Sequence, residues 1–267
     1  VNRLDKSFAS GRKALVAYLC IGDPGVDESV ELARACLRAG ADILELGVPF
    51  SDPIADGPVI AQASQRAIAA GGGLNATLRA TRAIRSAEPS AGIVLFGYYN
   101  PLFVRGEARA VSEAAEAGVD ALLVVDLPLE DGDALRREAT QRGLGVIPLL
   151  APTSSAERVA ATRQIAKSSA VPFVYYVSVT GVTGSGALQA SDAGARAGAL
   201  RSETGRPVVV GFGVDSQDKA RQAARQADGV AVGTALVRAI EQGHSAEERR
   251  QSVERLIRQL RAGIDEA

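Results

Sequence analysis

Short apolar runs alternate with longer stretches of mixed polarity along the 267 residues of the chain. Eight runs stand out: Ala14–Cys20, Asp42–Gly47, Gly92–Gly97, Asp120–Asp126, Gly145–Leu149, Phe173–Ser178, Pro207–Gly211 and Gly229–Val232. Each is short and almost continuously hydrophobic, the pattern of a strand covered on both faces. Between the runs, apolar residues recur near helical spacing, as at Val30, Ala33 and Leu37 within Asp27–Arg38. Glu107–Ala117, Asp131–Arg142, Ser155–Lys167, Ala187–Arg201, Asp215–Gln226 and Ala246–Ala262 read the same way. Two extra helices, Pro58–Ala70 and Leu74–Ala87, follow the second run. Asp27, Asp131 and Ser155 stand where N-caps are expected, and Ser245 with Glu248 has the capping-box spacing.

A phrase recurs where helices give way to strands: Arg38-Ala39-Gly40-Ala41-Asp42, Glu116-Ala117-Gly118-Val119-Asp120 and Arg225-Gln226-Ala227-Asp228-Gly229. A glycine just past a helix supplies the left-handed cap that turns the chain. Eight strand–helix units with short connectors predict a parallel sheet closed on itself, a (β/α)₈ TIM barrel with extra helices, one domain over residues 1–267. An open doubly wound sheet would carry GxGxxG after the first strand. Gly22-Asp23-Pro24-Gly25 does not fit that pattern.

Composition narrows the function. Net charge is −1 and no basic run stands out, so nucleic-acid binding lacks its electrostatic footprint. No apolar stretch reaches the ~18 residues of a membrane span, and the polar N-terminus has no signal-peptide core. Cys20 and Cys36 lie in apolar segments and read as buried free thiols, with a reducing cytoplasm the expected location. The single histidine, His244, precedes the last helix and is expected at the surface. Without paired cysteines or clustered histidines no metal site is expected, and no GxSxG elbow frames a nucleophilic serine.

In a barrel the chemistry collects at the C-terminal strand ends and the loops after them. The second strand reads Ile43-Leu44-Glu45-Leu46-Gly47. A buried carboxylate between leucines is either paired with a cation or neutralised by a raised pKa, and the second state suits a proton donor. The next loop, Pro49-Phe50-Ser51-Asp52-Pro53-Ile54-Ala55-Asp56-Gly57-Pro58, is stiffened by three prolines and carries two acids. Asp56 is either a second functional carboxylate or, like Gly57, a cap for the helix starting near Pro58. Glycines then mark the loops after the last three strands: Gly181-Val182-Thr183-Gly184-Ser185-Gly186, Gly211-Phe212-Gly213 and Gly233-Thr234. They are either tight turns or places where backbone N–H groups and a helix N-terminus approach a phosphate.

On these motifs, with Tyr99-Asn100-Pro101 and Asp126-Leu127-Pro128 in support, the chain resembles the α subunit of tryptophan synthase over nearly its whole length. The resemblance implies a retro-aldol lyase that cleaves indole-3-glycerol phosphate into indole and glyceraldehyde 3-phosphate. It implies Glu45 as general acid and Asp56 as the carboxylate that accepts from indole N1–H. It leaves open which group takes the hydroxyl proton, Glu45 in a second role included. The implied indole pocket comprises Tyr18, Ile60, Phe96, Leu123, Val125 and Phe212, with Tyr175 near the glycerol chain. Thr183, Gly184, Gly213, Gly233 and Thr234 match the phosphate loops. The resemblance implies no cofactor in this chain, pyridoxal phosphate being expected only in a β subunit that joins it as αββα. A stand-alone indole-releasing lyase and a non-catalytic activator of the β subunit are the rival readings.

Overall fold

The computed structural model describes residues 3–9, 11–168, 170–177, 190–211 and 213–267. Among these, nine parallel strand segments form one sheet: β1 (Ala14–Cys20), β2 (Ile43–Gly47), β3 (Gly92–Gly97), β4 (Ala121–Val124), β5 (Gly145–Val146), β6 (Leu149–Leu150), β7 (Val174–Val177), β8 (Val208–Gly211) and β9 (Gly229–Val232). They pair in the order β5-β4-β3-β2-β1-β9-β8-β7-β6. The two ends of that order, β5 and β6, are separated in the chain by Ile147 and Pro148 alone. They are two halves of one strand, β5 pairing with β4 and β6 with β7. The sheet therefore closes on itself, and its nine segments make the eight strands of a barrel. Pro148, which has no N–H to give, stands at the break. Ile147 N–H still donates to Leu122 O at 2.9 Å, and Pro148 O accepts from Tyr175 N–H at 2.9 Å.

Strand alternation decides what the barrel contains. On β2, Leu44 and Leu46 point outward and pack with Leu32 and Ile84 of the surrounding helices. Ile43 points inward to Val16, Val94, Leu123 and Val209. Glu45, two residues on, shares the inward face. The floor of the barrel is sealed by the helix Arg3–Ala9, a segment whose polar sequence gives no helical signal. Leu4 is fully buried in the interior cluster, and Phe8 meets Phe173 at 5.6 Å between ring centroids. Burying Leu4 contributes about 1.5–3 kcal/mol. Gly92 makes room for it, since a Cβ there would lie 2.8 Å from Leu4 Cδ2.

The recurring phrase does two jobs. Gly40 (φ 116°) and Gly118 (φ 91°) are the left-handed caps that the sequence predicts. The aspartate that follows then stitches the N-terminal face. Asp42 accepts from Leu15 N–H at 2.8 Å and pairs with Arg261 at 3.0 Å. Asp120 accepts from Ile93 N–H at 2.9 Å and pairs with Arg85 at 2.8 Å and Arg3 at 2.9 Å. Asp228 accepts from Val208 N–H at 2.9 Å and pairs with Arg201 at 2.9 Å. Each carboxylate joins the start of a neighbouring strand to a guanidinium.

The helices Pro58–Ala69, Leu74–Ala87 and Glu107–Ala117 form where the periodicity places them, as do Val26–Ala39, Asp133–Gln141, Ala156–Ser168, Ala190–Thr204, Gln217–Ala224 and Ala246–Asp265 within a few residues. Ser155 Oγ accepts from Arg158 N–H, and Ser245 Oγ from Glu248 N–H. Two expected caps are corrected. Gly25 and Gly132 hold the N-cap positions, which leaves Asp27 inside the first turn and Asp131 in the preceding turn. No described helix is long and apolar enough to cross a membrane.

Candidate active site

Glu45 stands opposite Tyr18 of β1 and Val94 of β3 in the sheet register. It is 1% exposed, and its Oε1 has no hydrogen-bond partner among the described residues. No cation among the described residues offsets the burial, and desolvation pushes the carboxyl up to about 8. At neutral pH this group is a carboxylic acid with a proton to give. The alternative of a structural pair with Lys or Arg finds no partner among the described residues.

The loop after β2 brings Asp56 to the barrel mouth. Gly57 is the N-cap of the helix Pro58–Ala69, with Pro58 in its first turn, and no side chain caps it. Asp56 is therefore free of the capping role, and its Oδ2 accepts from Tyr98 Oη–H at 3.0 Å. Tyr98 in turn accepts from Ala55 N–H at 3.0 Å and stacks on Phe50 with ring centroids 5.1 Å apart. One phenol thus fastens the loop to the end of β3. Burial raises the Asp56 pKa, and the Tyr98 donor pulls it back down. Asp56 has the donor that Glu45 lacks, so negative charge is better held on Asp56.

An aromatic and aliphatic wall surrounds the acids. Tyr18 meets Phe96 edge-on at 5.1 Å, and both pack with Ile60, Cys20 and Val237. Phe96 also joins Leu123, Leu149 and Tyr175 in the barrel interior. Val125, half-buried, donates its N–H to Gly97 O at 3.0 Å at the end of β4. Two glycines let tyrosines lie across neighbouring strands. A Cβ on Gly47 would stand 2.5 Å from Tyr18 Oη, and one on Gly211 would stand 2.5 Å from Tyr175 Oη. Burial raises the Tyr18 phenol well above its usual range, helped by the fields of Cys20, Asp56, Glu45 and Tyr98. Burial raises Tyr175 likewise, with Glu45 adding to it.

Beside Tyr18 at the mouth, Gly233 is the N-cap of the helix Thr234–Glu241, whose first turn holds no acidic residue. Gly213 is exposed, and a Cβ built on it would meet nothing within 4 Å. Gly233 has a φ of −122°, so a left-handed backbone does not explain it. Gly213 leaves open space on its loop, and Gly233 stands at a helix N-terminus, where an anion is favoured.

The sequence model described as "tryptophan synthase alpha chain" matches residues 4–266. The chain belongs to that family. It is 42% identical over 269 residues to the tryptophan synthase alpha chain of Xylella fastidiosa (strain M12), covering 99% of each. Tryptophan synthase subunit alpha from Legionella pneumophila str. Paris superposes with a TM-score of 0.91 at 36% identity, covering 100% of both chains. A chain of tryptophan synthase from M. tuberculosis, in an open form, superposes at 0.86 and 35% identity over 99% of both. Tryptophan synthase alpha chains cleave indole-3-glycerol phosphate in tryptophan biosynthesis, so this chain is a lyase subunit with a TIM-barrel fold.

Of the residues expected from sequence, Glu45, Asp56, Tyr18, Ile60, Phe96, Leu123, Val125 and Tyr175 lie on inward strand positions or at the mouth. Gly213 and Gly233 lie on the late loops, and Thr234 opens the helix that follows Gly233. Thr183, Gly184 and Phe212 fall outside the described residues. Tyr98 and Leu149 belong to the site without being expected there. Tyr98 directly follows β3, a strand-end position of the same kind that singles out the loop after β2. Leu149 is legible from the alternation Ile147, Leu149 along the fifth run.

Proposed function

We propose that Glu45 is the general acid of the cleavage and Asp56 the carboxylate that steadies the indole ring. The observation that carries this is a buried acid inside the barrel whose Oε1 has no hydrogen-bond partner among the described residues. A proton from Glu45 to indole C3 breaks the ring's aromaticity and leaves positive charge at N1. Asp56 accepts from N1–H and stabilises that charge. Loss of the glycerol hydroxyl proton then forms the aldehyde, the C–C bond breaks, and its electron pair restores the ring. Glu45, now a carboxylate, is the base this geometry offers for that proton. The wall of Tyr18, Ile60, Phe96, Leu123, Val125 and Tyr175 holds the ring, and Gly213, Gly233 and Thr234 hold the phosphate together with Thr183 and Gly184. The test is the pH profile of kcat/KM for indole release. It is expected to fall as the pH rises through about 8, where Glu45 loses its proton. A profile flat through that range would remove Glu45 as the acid.

The partner reading has its own support. Ile54 at 87% exposure, Phe103 at 62% and Val104 at 77% are large apolar side chains left in water. All three follow β2 or β3 on the face of the mouth. A β subunit seated there in an αββα complex would cover them and favour the closed Asp56 loop. Pyridoxal phosphate chemistry belongs to that partner. We read residues 1–267 as one domain working in the cytoplasm, in keeping with the free, buried Cys20 and Cys36. Indole release is expected to rise on titration with a β subunit, and Asp52→Ala or Pro53→Ala to weaken that rise more than basal turnover. A flat titration with no complex on size exclusion would favour the stand-alone lyase.

A further inference from the structure

The barrel wall has a seam. Pairing between β4 and β5 stops at Leu122↔Val146, while the strand's other half turns to pair with β7. Above that last rung a cavity of about 190 Å³ opens between the two strands and the helices Asp133–Gln141 and Ala156–Ser168. Its apolar walls include Val124, Leu129, Val146 and Ile165, and it reaches inward to Val125 and Leu149. An engineered apolar cavity of about 150 Å³ accepts benzene, so this space takes one six-membered ring with a small substituent.

A guanidinium is built into the same cavity. Arg136 is 7% exposed, an expensive place for a permanent charge. Its Nη2 donates to Leu129 O at 2.6 Å and to the exposed Asp133 carboxylate. Among the described residues, Nε and Nη1 have no hydrogen-bond partner. Gly132 leaves the space that Nη1 occupies, since a Cβ there would come within 2.6 Å of it. Arg158 adds a second positive charge at the rim, held by Glu130 at 3.4 Å. Holding one loop carbonyl uses a single nitrogen of Arg136, and the rest of the fork still offers N–H groups to an acceptor.

We propose that this seam is a second binding site, for a small aromatic carboxylate. The ring lies among Val124, Val146, Leu129 and Ile165, and the carboxylate accepts from the free N–H groups of Arg136. The site is separate from Glu45 and Asp56, and the proposal does not rest on their roles. An occupant would stand behind Val125 and Leu149, on the outer side of the catalytic wall.

Benzoate is the probe, titrated by calorimetry against benzamide, its neutral counterpart. For so few atoms a Kd on the order of 1 mM is expected, with benzamide at least about tenfold weaker. Arg136→Gln should erase the preference for the anion. Val146→Phe, which fills the cavity and leaves Arg136 in place, should abolish binding of both and keeps the test decisive if Arg136→Gln fails to fold by circular dichroism. Absence of saturable benzoate binding, equal affinity for the two probes, or binding that survives Val146→Phe would each overturn the proposal.

Discussion

Replacing Glu45 by glutamine keeps the size and shape of the side chain and removes a titration from the barrel interior. The wild-type carboxyl titrates at about 8 against 4.5 for a free glutamic acid. Below 4.5 the group is protonated in folded and unfolded chains alike, and its neutral form imposes no charge on the core. As the pH rises from there, the unfolded chain loses the proton first, so stability falls until the folded group also ionises near 8. At about 1.4 kcal/mol per unit, the acid opposes folding by roughly 3 kcal/mol at about pH 7 and by roughly 5 kcal/mol, an upper bound, above about pH 8. The amide of Glu45→Gln does not titrate and escapes this penalty. The variant is therefore expected to match the wild type near about pH 5 and to exceed it by several kcal/mol near about pH 8.5, read from urea midpoints at both. The same change should lower kcat for indole release by about 10²–10⁴-fold, since the transferable proton is gone. Parallel pH dependences of stability in the two proteins would show that Glu45 has a partner or stays solvated, and its isolation could no longer explain its chemistry.

Asp56→Asn should lower kcat with little change in circular dichroism, because Gly57 and not Asp56 occupies the N-cap; retained turnover would return Asp56 to a structural role. Tyr98→Phe removes a hydrogen bond to a charged group, so a kcat loss of about 10-fold or more is expected. It should also raise the Asp56 pKa and move the acidic limb of the kcat profile to higher pH, an effect absent if Tyr98 only packs on Phe50. Gly213→Asp puts a charge into open space on the loop after β8, so affinity for glycerol phosphate-type ligands should fall while the fold survives; unchanged affinity by calorimetry would remove the phosphate from that loop.

The strands are legible in the sequence because a strand buried on both faces reads as an apolar run, and Ala14–Cys20, Gly92–Gly97 and Gly229–Val232 match to the residue. The break at Ile147–Pro148 is not, since both halves are apolar and only the pairing partners tell them apart. Three described helices escape. Arg3–Ala9 and Tyr99–Arg105 have seven residues each, too few for a helical period to declare itself, and only Gly233 separates Thr234–Glu241 from the end of a strand. The caps expected at Asp27 and Asp131 fail because a glycine nearby takes the cap position without a side-chain bond. Glu45 announces itself as an acid among leucines. Tyr98 does not, because an aromatic at the end of an apolar run reads as core, and the hydrogen bond that gives it a role joins residues 42 apart.

The distribution of satisfied and unsatisfied acids follows the two ends of the barrel. At the N-terminal face, Asp42, Asp120 and Asp228 each hold a guanidinium and a strand N–H. Toward the C-terminal face, one oxygen of Glu45 has no partner among the described residues. A cation beside it would stabilise the carboxylate and bring its pKa down below neutrality, as opposite charges do. The group would then be ionised under working conditions and have no proton for indole C3. The isolation that makes Glu45 a burden on stability is thus the condition for its chemistry, and Asp56 shows the contrast. Its one phenolic donor works against the rise that burial causes, and a carboxylate is what a positive indole ring calls for. Burial raises both carboxylates, and the single hydrogen bond that Asp56 has and Glu45 lacks offsets part of that rise at Asp56 alone.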